Sequence, residues 1–272
     1  MTTATLTRSA TTTSGGYGFR SVAQMEWLKL RSVRSTAWVL LVFAAGLIGL
    51  AILVMAHQHW ATMSPADRAS FDPTENSFAG LAIGQLAFGV LGALVITTEF
   101  SSGMIRATLA AVPNRPLLLA AKAAVLAAVT LAVGEILAFG AFAVGELVLR
   151  SPAPHATLGQ PGVLRAVLMA GAYPALIALI ALGLGAVIRH TAGAISAVVG
   201  ILFVLPLILV PLGTSIQNSV GQFMPMLIAE NSLTAVKPVA HSLSPGAGLA
   251  MLCLYAVAAL AAGTWALARR DA

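Results

Sequence analysis

The sequence predicts an all-α integral membrane protein with six transmembrane helices. It also predicts an N-terminal interfacial elbow helix and a short cytoplasmic coupling helix between helices 2 and 3. Of the 272 residues, 58% are hydrophobic and only 9% are charged, whereas a soluble domain carries about a quarter charged residues. The apolar residues come in long runs, and a soluble core of this size could not bury that much apolar surface.

Six runs meet the length of about 20 mostly apolar residues that a helix needs to cross the hydrocarbon core of a bilayer. The predicted spans are 37–56, 78–97, 123–147, 166–188, 191–212 and 247–268. Together they make residues 36–272 a transmembrane domain. The third run contains Glu135 near its middle, but its many Leu, Ile, Val and Phe residues offset the cost of one carboxylate.

The N-terminal region divides into two parts. Residues 1–17 are rich in Thr, Ser and Gly and lack the apolar core of a signal peptide, which predicts a disordered cytoplasmic tail. Residues 18–35 predict an amphipathic elbow helix in the interface plane, with arginines beside an apolar arc and Trp27 at the boundary. Glu26 falls within that apolar arc, a position that is explained if Glu26 meets a protein partner.

The basic residues predict the orientation of the spans, because Lys and Arg concentrate in cytoplasmic loops. An arrangement with both termini in the cytoplasm places eleven basic residues inside and four outside. The inside group is Arg8, Arg20, Lys29, Arg31, Arg34, Arg106, Arg115, Lys122, Arg189, Arg269 and Arg270. These residues border apolar runs and do not form the basic face that nucleic-acid binding requires, so no nucleic-acid partner is expected.

The segment 98–116, TEFSSGMIRATLAAVPNRP, is charged and lies between the second and third spans. Ser101 or Ser102 can cap a helix start, MIRATLAA favours a helix, and Pro113 stops it. The pattern predicts a cytoplasmic helix of two to three turns that is tied to two spans by short connections. Such a helix transmits force well when a partner pushes on it.

At this point the sequence resembles a known family. Glu99, Phe100, Gly103, Met104 and Ile105, followed by a Pro-x-Arg, are similar to the intracellular motif of ABC-2 type permeases, the membrane subunits of one class of ABC exporter. The family often has Thr where this chain has Met104. EWLKLRSVRSTAW resembles the elbow of the actinobacterial branch, and the C-terminal span with its Arg-Arg-Asp ending is similar to that branch as well.

The resemblance implies a bacterial plasma-membrane protein that pairs with a second permease, usually a copy of itself, through the first and fifth spans. Each permease would contact a cytosolic ATP-binding subunit, which would bind the ATP and Mg²⁺ and would drive export. Under this reading the residues that couple the permease to the ATPase are Glu26, Glu99, Gly103, Arg106 and Arg115. Glu26 would then face the ATPase.

The sequence is consistent with a motor on a separate polypeptide. A P-loop needs Gly-Lys-Ser/Thr so that the lysine reaches the nucleotide phosphates. The three lysines follow Leu28, Ala121 and Val236, so we expect no ATPase activity and no cofactor in this chain. The histidines are scattered and do not join Ser and Asp on one membrane face, so neither a metal site nor a catalytic set is expected.

Two alternatives remain at the level of sequence. Glu135 is an ionisable residue within a span, which by default suggests a functional site, so a proton-coupled secondary transporter is one alternative. Such proteins usually show an internal repeat, and no convincing repeat is found in the sequence. A non-transporting membrane scaffold or sensor is the other alternative. The transported substrate cannot be read from the sequence.

Overall fold

The structure, a computed structural model, describes residues 18–235 and 242–270, so the predicted tail at 1–17 lies outside the described residues. The described part is helical and contains no strand. Its helices are α1 Phe19–Ser32, α2 Arg34–Ala56, α3 Pro65–Ser70, α4 Pro73–Ser77, α5 Leu81–Ser101, α6 Met104–Ala111, α7 Arg115–Val148, α8 Val163–Ile188, α9 Thr191–Val199, α10 Leu205–Leu209, α11 Thr214–Val220, α12 Pro225–Leu233 and α13 Pro245–Arg269.

Six of these units are long and apolar enough to cross a membrane, as the sequence predicts. They are α2, α5, α7, α8, the stretch Thr191–Leu212 that contains α9 and α10, and α13. The elbow is present as α1, and the short helix between the second and third spans is present as α6. The fold class is therefore confirmed.

Helix α8 is the centre of the bundle. Of its most apolar stretch 67% is buried, against 22% for α2 and α13 and 17% for Thr191–Leu212. Helices α5, α7 and α13 all pack on α8. They come close because small residues lie at the crossings: the Cα of Gly92 faces the backbone of Ala178, and Gly134 faces Gly171. Close approach of backbones through small residues is the usual basis of helix packing in membranes.

The fifth span is irregular, as its two prolines predict. Helix α9 runs into a π-helical turn at Gly200–Val204, and a 3₁₀ turn at Val210–Leu212 follows α10. Pro206 and Pro211 lack the N–H that would continue an α-helical ladder. In contrast, Pro174 lies inside α8 and that helix is continuous.

Two of the differences from the predicted boundaries concern the segment between the second and third spans. Helix α7 begins at Arg115, eight residues before the predicted start at 123, because Asn114 caps it and Lys122 is buried among partners rather than exposed in a loop. Helix α5 continues through Ser101, so neither serine is the N-cap residue of α6, although the Ser102 hydroxyl accepts the Met104 N–H at 3.5 Å. Instead Gly103, with a φ of 71°, turns the chain between the two helices. Glycine adopts this left-handed conformation without a steric cost.

The two ends of the bundle differ in character. We call the end that carries α1, α6 and the start of α7 the basic end. Helix α13 also finishes there, since Arg115 at the start of α7 donates to the carbonyl oxygens of Leu267 and Arg270. The opposite end carries α3, α4 and α12.

Candidate functional site

The principal polar site of the described chain is a cluster of four charged side chains at the basic end. Glu26 and Lys29 lie one turn apart on α1, Glu99 lies near the end of α5, and Lys122 lies in the second turn of α7. We call these four residues the ion cluster. The ion cluster joins three helices, and two of its residues, Glu26 and Lys122, are 96 positions apart in the chain.

Both lysines of the ion cluster bridge both carboxylates. Lys122 Nζ donates to Glu26 Oε2 and to Glu99 Oε1, each at 2.6 Å. Lys29 Nζ donates to Glu26 Oε1 at 3.0 Å and to Glu99 Oε1 at 2.9 Å. The cluster holds two negative and two positive charges, so its formal charge is zero.

Burial makes this arrangement sensitive to the loss of any member. Lys122 is only 2% exposed, Glu26 4% and Glu99 5%. Charges removed from water are tolerated when they are paired and hydrogen-bonded, and removing one partner leaves the other uncompensated. Desolvation by burial lowers the pKa of Lys29, but its hydrogen bonds to Glu99 and Glu26 outweigh that effect and hold the pKa above the ordinary value. Lys29 therefore remains charged at neutral pH.

Helix α6 is attached directly to the ion cluster. Its inner face buries Ile105 and Thr108, which are 3% and 6% exposed. Lys29 Nζ lies 3.3 Å from Thr108 Oγ1. The ammonium group of Lys29 therefore links α6 to the carboxylates of Glu26 and Glu99. Its opposite face exposes Arg106. A displacement of α6 therefore reaches α1, α5 and α7 through one set of hydrogen bonds.

The structure brings together only some of the residues that the family resemblance suggests. Glu26 and Glu99 are in the ion cluster, Gly103 forms the turn before α6, and Arg106 is on the outer face of α6. Arg115 is separate, because its guanidinium binds backbone carbonyls at the end of α13. Arginine at a helix C-terminus interacts favourably with the unsatisfied carbonyl groups there. A coupling role for these five residues stays a prediction.

One expectation about Glu26 is wrong. The sequence suggested that Glu26 lies within the apolar arc of α1 because it faces a partner protein. Instead its side chain points into the chain and contacts Lys29 and Lys122. The carboxylate tolerates this position because Lys122 supplies the opposite charge from α7.

Lys29 and Lys122 are the functional candidates that the sequence reasoning missed, since both were used only to assign orientation. A signal was present for Lys122. Leu118 and Leu119 lie four and three positions before Lys122, and Leu126 lies four positions after it, so all four residues share one face of the helix. All three leucines are buried. A lysine in such a register predicts a buried charge that needs a carboxylate partner.

Glu135 lies far from the ion cluster. It is 13 residues beyond Lys122 on the same helix, which corresponds to about 20 Å along the axis. Its side chain packs over Gly171 of α8, where an added methyl group would overlap it. Glu135 Oε2 is buried and has no hydrogen-bond partner among the described residues.

These features define the class of protein. The described chain is a helical bundle of six membrane-length spans with an elbow helix and a short helix between spans two and three. No group of three or more metal-ligating side chains occurs in the described ranges. The architecture is that of a multi-pass membrane protein.

The chain belongs to the ABC-2 family of transporter proteins, since the sequence model of that family matches residues 22–207. The match begins within α1, covers the first four spans and ends within the fifth. It includes the whole ion cluster, α6 and Glu135. Among curated proteins, none matches the sequence well enough to count as a relative. The protein is thus an ABC-2 type permease, a membrane component that is not itself the ATPase.

Proposed function

We propose that this permease couples ATP hydrolysis by a separate cytosolic subunit to the export of a substrate across the bacterial plasma membrane. Permeases of this family generally work with a cytosolic ATP-binding subunit. The observation that carries the proposal is the attachment of α6 to the ion cluster through Thr108 and Lys29. Helix α6 is short, is held between two spans and exposes Arg106 at the basic end.

The proposed transmission starts when the ATP-binding subunit contacts α6 and α1. Because Lys29 links Thr108 to Glu99 and Glu26, movement of α6 pulls on the end of α5 and on the elbow helix together. Lys122 carries the same movement into α7. Arg115 fixes the start of α7 to the end of α13, so the third and sixth spans move with it.

The orientation that this proposal requires puts the basic end in the cytoplasm. Arg31, Arg34, Arg106, Arg115 and Arg189 all lie at that end, and basic residues concentrate on the cytoplasmic side. Six spans return the chain to the side on which it starts, so both termini would be cytoplasmic.

A second copy of the permease is the proposed membrane partner. The first span, α2, and the fifth span, Thr191–Leu212, are poorly buried, at 22% and 17% of their most apolar stretches. Their apolar side chains would pack against the second copy and against lipid. Helix α13 is as exposed as α2, so the choice of the first and fifth spans for the interface rests on the family resemblance.

The test of the proposed function is purification of the tagged permease from its own cells in mild detergent. We expect a P-loop ATPase to be recovered in about equal amount, and the variant Arg106→Glu to lower its recovery. Arg150→Glu is the matched control, because Arg150 is exposed at the opposite end. Recovery of the permease alone in several detergents contradicts the proposal.

Orientation is tested separately with an impermeant thiol reagent on intact cells. Cys253 is exposed, so it is first replaced by Ala. A cysteine introduced by Ser102→Cys should stay unlabelled until the cells are opened, while one introduced by Thr62→Cys should be labelled at once. Labelling of the Ser102→Cys variant on intact cells would place the basic end outside and overturn the scheme.

Proton-coupled transport through Glu135 is the alternative that one observation favours, namely the unpartnered Oε2 atom in a span. Replacing Glu135 by Gln separates the two functions, since the amide keeps the shape and removes the titration. Export driven by ATP should continue in Glu135→Gln, whereas proton-coupled transport should stop.

A further inference from the structure

A cavity of about 330 Å³ lies beside the ion cluster at the basic end. Its walls are formed by α1, the start of α2 and the end of α5, and by Met104 at the beginning of α6. This volume is within the range of small-molecule sites in proteins. The cavity is independent of the ATP-binding subunit in the proposal above, because this chain alone forms its walls.

The polar part of the cavity offers mainly hydrogen-bond acceptors. Lys29 Nζ has three N–H groups, and it lies within hydrogen-bond distance of three oxygens: those of Glu26, Glu99 and Thr108. Its donors are therefore committed. The ammonium group has no lone pair, so Lys29 cannot accept a hydrogen bond in return.

The hydroxyl groups around the cavity continue this pattern. Three of the five donate to backbone carbonyl oxygens: Ser32 to Lys29 at 2.9 Å, Thr98 to Leu94 at 2.7 Å, and Ser102 to Thr98 at 2.7 Å. Each of these hydroxyl oxygens keeps lone pairs that can accept a hydrogen bond. The other two hydroxyl groups, on Ser35 and Thr36, can donate or accept, so the wall offers more acceptors than donors and favours a ligand that supplies donors.

Glu99 is the group that most needs such a donor. It lines the cavity, its Oε1 atom accepts from both lysines, and its Oε2 atom is buried with no hydrogen-bond partner among the described residues. A buried carboxylate oxygen without a donor is strongly disfavoured. Because the ion cluster is formally neutral, it is this unpartnered oxygen, and not a net negative charge, that favours a donor.

The remaining wall of the cavity is apolar. Leu91, Leu94 and Val95 lie on one face of α5, and Leu30 and Val33 of the elbow region lie opposite. The cavity thus joins a polar end, at the level of the interfacial helix α1, to an apolar end directed along a span. A molecule with a polar head and a hydrocarbon chain matches both ends.

We propose that this cavity binds an amphiphile through a primary ammonium head, with the ammonium donating to Glu99 and to the neighbouring hydroxyl oxygens. The hydrocarbon chain lies along Leu91, Leu94 and Val95. Two sources share this chemistry: an aminophospholipid of the surrounding leaflet and a single-chain amphiphilic amine. An anionic head is disfavoured, because it would face the Glu99 carboxylate and find the donors of Lys29 committed.

The test is native mass spectrometry of the purified permease, titrated with dodecylamine and with dodecyltrimethylammonium. The two probes carry the same charge and the same chain, but the second has no N–H donor. We expect dodecylamine to bind at least about tenfold more tightly, as loss of hydrogen bonds to a charged group predicts. Equal binding of the two probes overturns the proposal.

Cavity-filling variants test whether dodecylamine binds in this cavity. Val95→Trp and Leu94→Trp should each weaken dodecylamine binding by about tenfold or more, because the indole occupies the path of the chain. Ile83→Trp is the matched control, since Ile83 is on the same helix and is 62% exposed. Two variants are used so that one poorly folded protein does not decide the outcome. If Val95→Trp or Leu94→Trp folds and binds dodecylamine as tightly as the natural sequence does, the proposed site is contradicted.

Nanodiscs distinguish the two sources of the ligand. The permease is recovered from bilayers of mixed phosphatidylethanolamine and phosphatidylcholine, and the retained lipid is identified by mass. Retention of phosphatidylethanolamine by the natural sequence, and its loss in Val95→Trp, identifies the ligand as a membrane lipid. Binding of dodecylamine without retention of phosphatidylethanolamine identifies a single-chain amine. Binding of neither overturns the proposal.

Discussion

The two ends of the bundle fasten their short helices to the spans by different chemistry. At the basic end, four charged side chains from α1, α5 and α7 neutralise one another in a buried cluster. At the opposite end, the carboxylate of Asp72 accepts backbone N–H groups, from Thr74 at 2.9 Å and from Ala235 at 2.6 Å. The carboxylate therefore caps α4 and also holds the segment after α12.

This difference shows that the contacts at the basic end depend on the identity of several side chains, whereas those at the opposite end depend on fewer. Any residue except proline at positions 74 and 235 keeps its backbone N–H, so these two contacts of Asp72 do not depend on the side chains of Thr74 and Ala235. Every member of the ion cluster depends on the other members, since a buried charge without its partner is strongly unfavourable. We therefore expect single substitutions at the basic end to cost more than those at the opposite end.

The largest effect is expected from Lys122→Met. It removes the most buried cation and leaves Glu26 and Glu99 with Lys29 alone, which should destabilise the permease by about 3–5 kcal/mol. Unfolding in detergent, followed by circular dichroism, measures the change. Arg20→Met is the control, because Arg20 is exposed on α1.

A second variant sharpens this first prediction. Adding Glu99→Gln to Lys122→Met restores equal numbers of positive and negative charges, with Glu26 facing Lys29. Part of the lost stability should return. If the double variant is no more stable than Lys122→Met, charge balance is not what holds the basic end.

The next largest effect is expected where α5 packs against α8, between the two ends of the bundle. A methyl group at Gly92 of α5 would overlap the backbone carbonyl of Ala178 on α8, so Gly92→Ala should force the two helices apart. Overpacking of this kind costs about 1–3 kcal/mol. Gly140→Ala on α7 is the matched control, since a methyl group there meets open space, and it should be neutral or slightly stabilising. Thermal unfolding of both variants in the same detergent tests the pair.

At the opposite end, Asp72→Ala should cost about 1–2 kcal/mol, the range for loss of a helix cap together with a buried acceptor. The expected result is a smaller loss than for Lys122→Met, with the faster hydrogen exchange centred on the amides of Thr74, Glu75 and Ala235, which donate to Asp72. A loss as large as that of Lys122→Met would remove the contrast between the two ends.

The smallest effect is expected from Glu75→Gln. Burial raises the pKa of Glu75, and the negative charges of Asp72 and Glu230 raise it further. A carboxyl group whose pKa is raised by folding destabilises the folded state above that pKa and ceases to do so as the pH falls below its ordinary value. The variant should therefore be more stable at neutral pH. The gain should be less than about 1 kcal/mol, because Glu75 lies at the edge of the buried region and keeps part of its surface in water, which screens its charge.

The pH dependence provides the check on that variant. The gain from Glu75→Gln should shrink as the pH falls toward 4.5, the ordinary value, and should be absent at still lower pH. Asp67→Asn is the control, because Asp67 is exposed and accepts from Ser64, so its removal should give no gain. A gain at Glu75 that is independent of pH would show that repulsion is not its cause.

The positions of the spans could be predicted because insertion depends on local composition. About 20 apolar residues suffice to identify a span, whatever the rest of the chain does. The start of α6 was less predictable. Serine suggested a cap, but the turn is made by Gly103 with a positive φ, and α5 continues because Ser101 and Ser102 hydrogen-bond back to Thr98. Such a choice depends on a few local hydrogen bonds that composition does not reveal.

By itself, the sequence determined that this protein is a six-span helical bundle with an elbow helix and a short polar helix after the second span. Hydropathy acts along the chain and can be read along the chain. Only the tertiary structure decided that Lys122 is buried against Glu26 and Glu99 rather than exposed in a loop. The physical reason is that the energy of a charge depends on which distant helix approaches it, and that approach is set by the packing of α5 and α7 around α8.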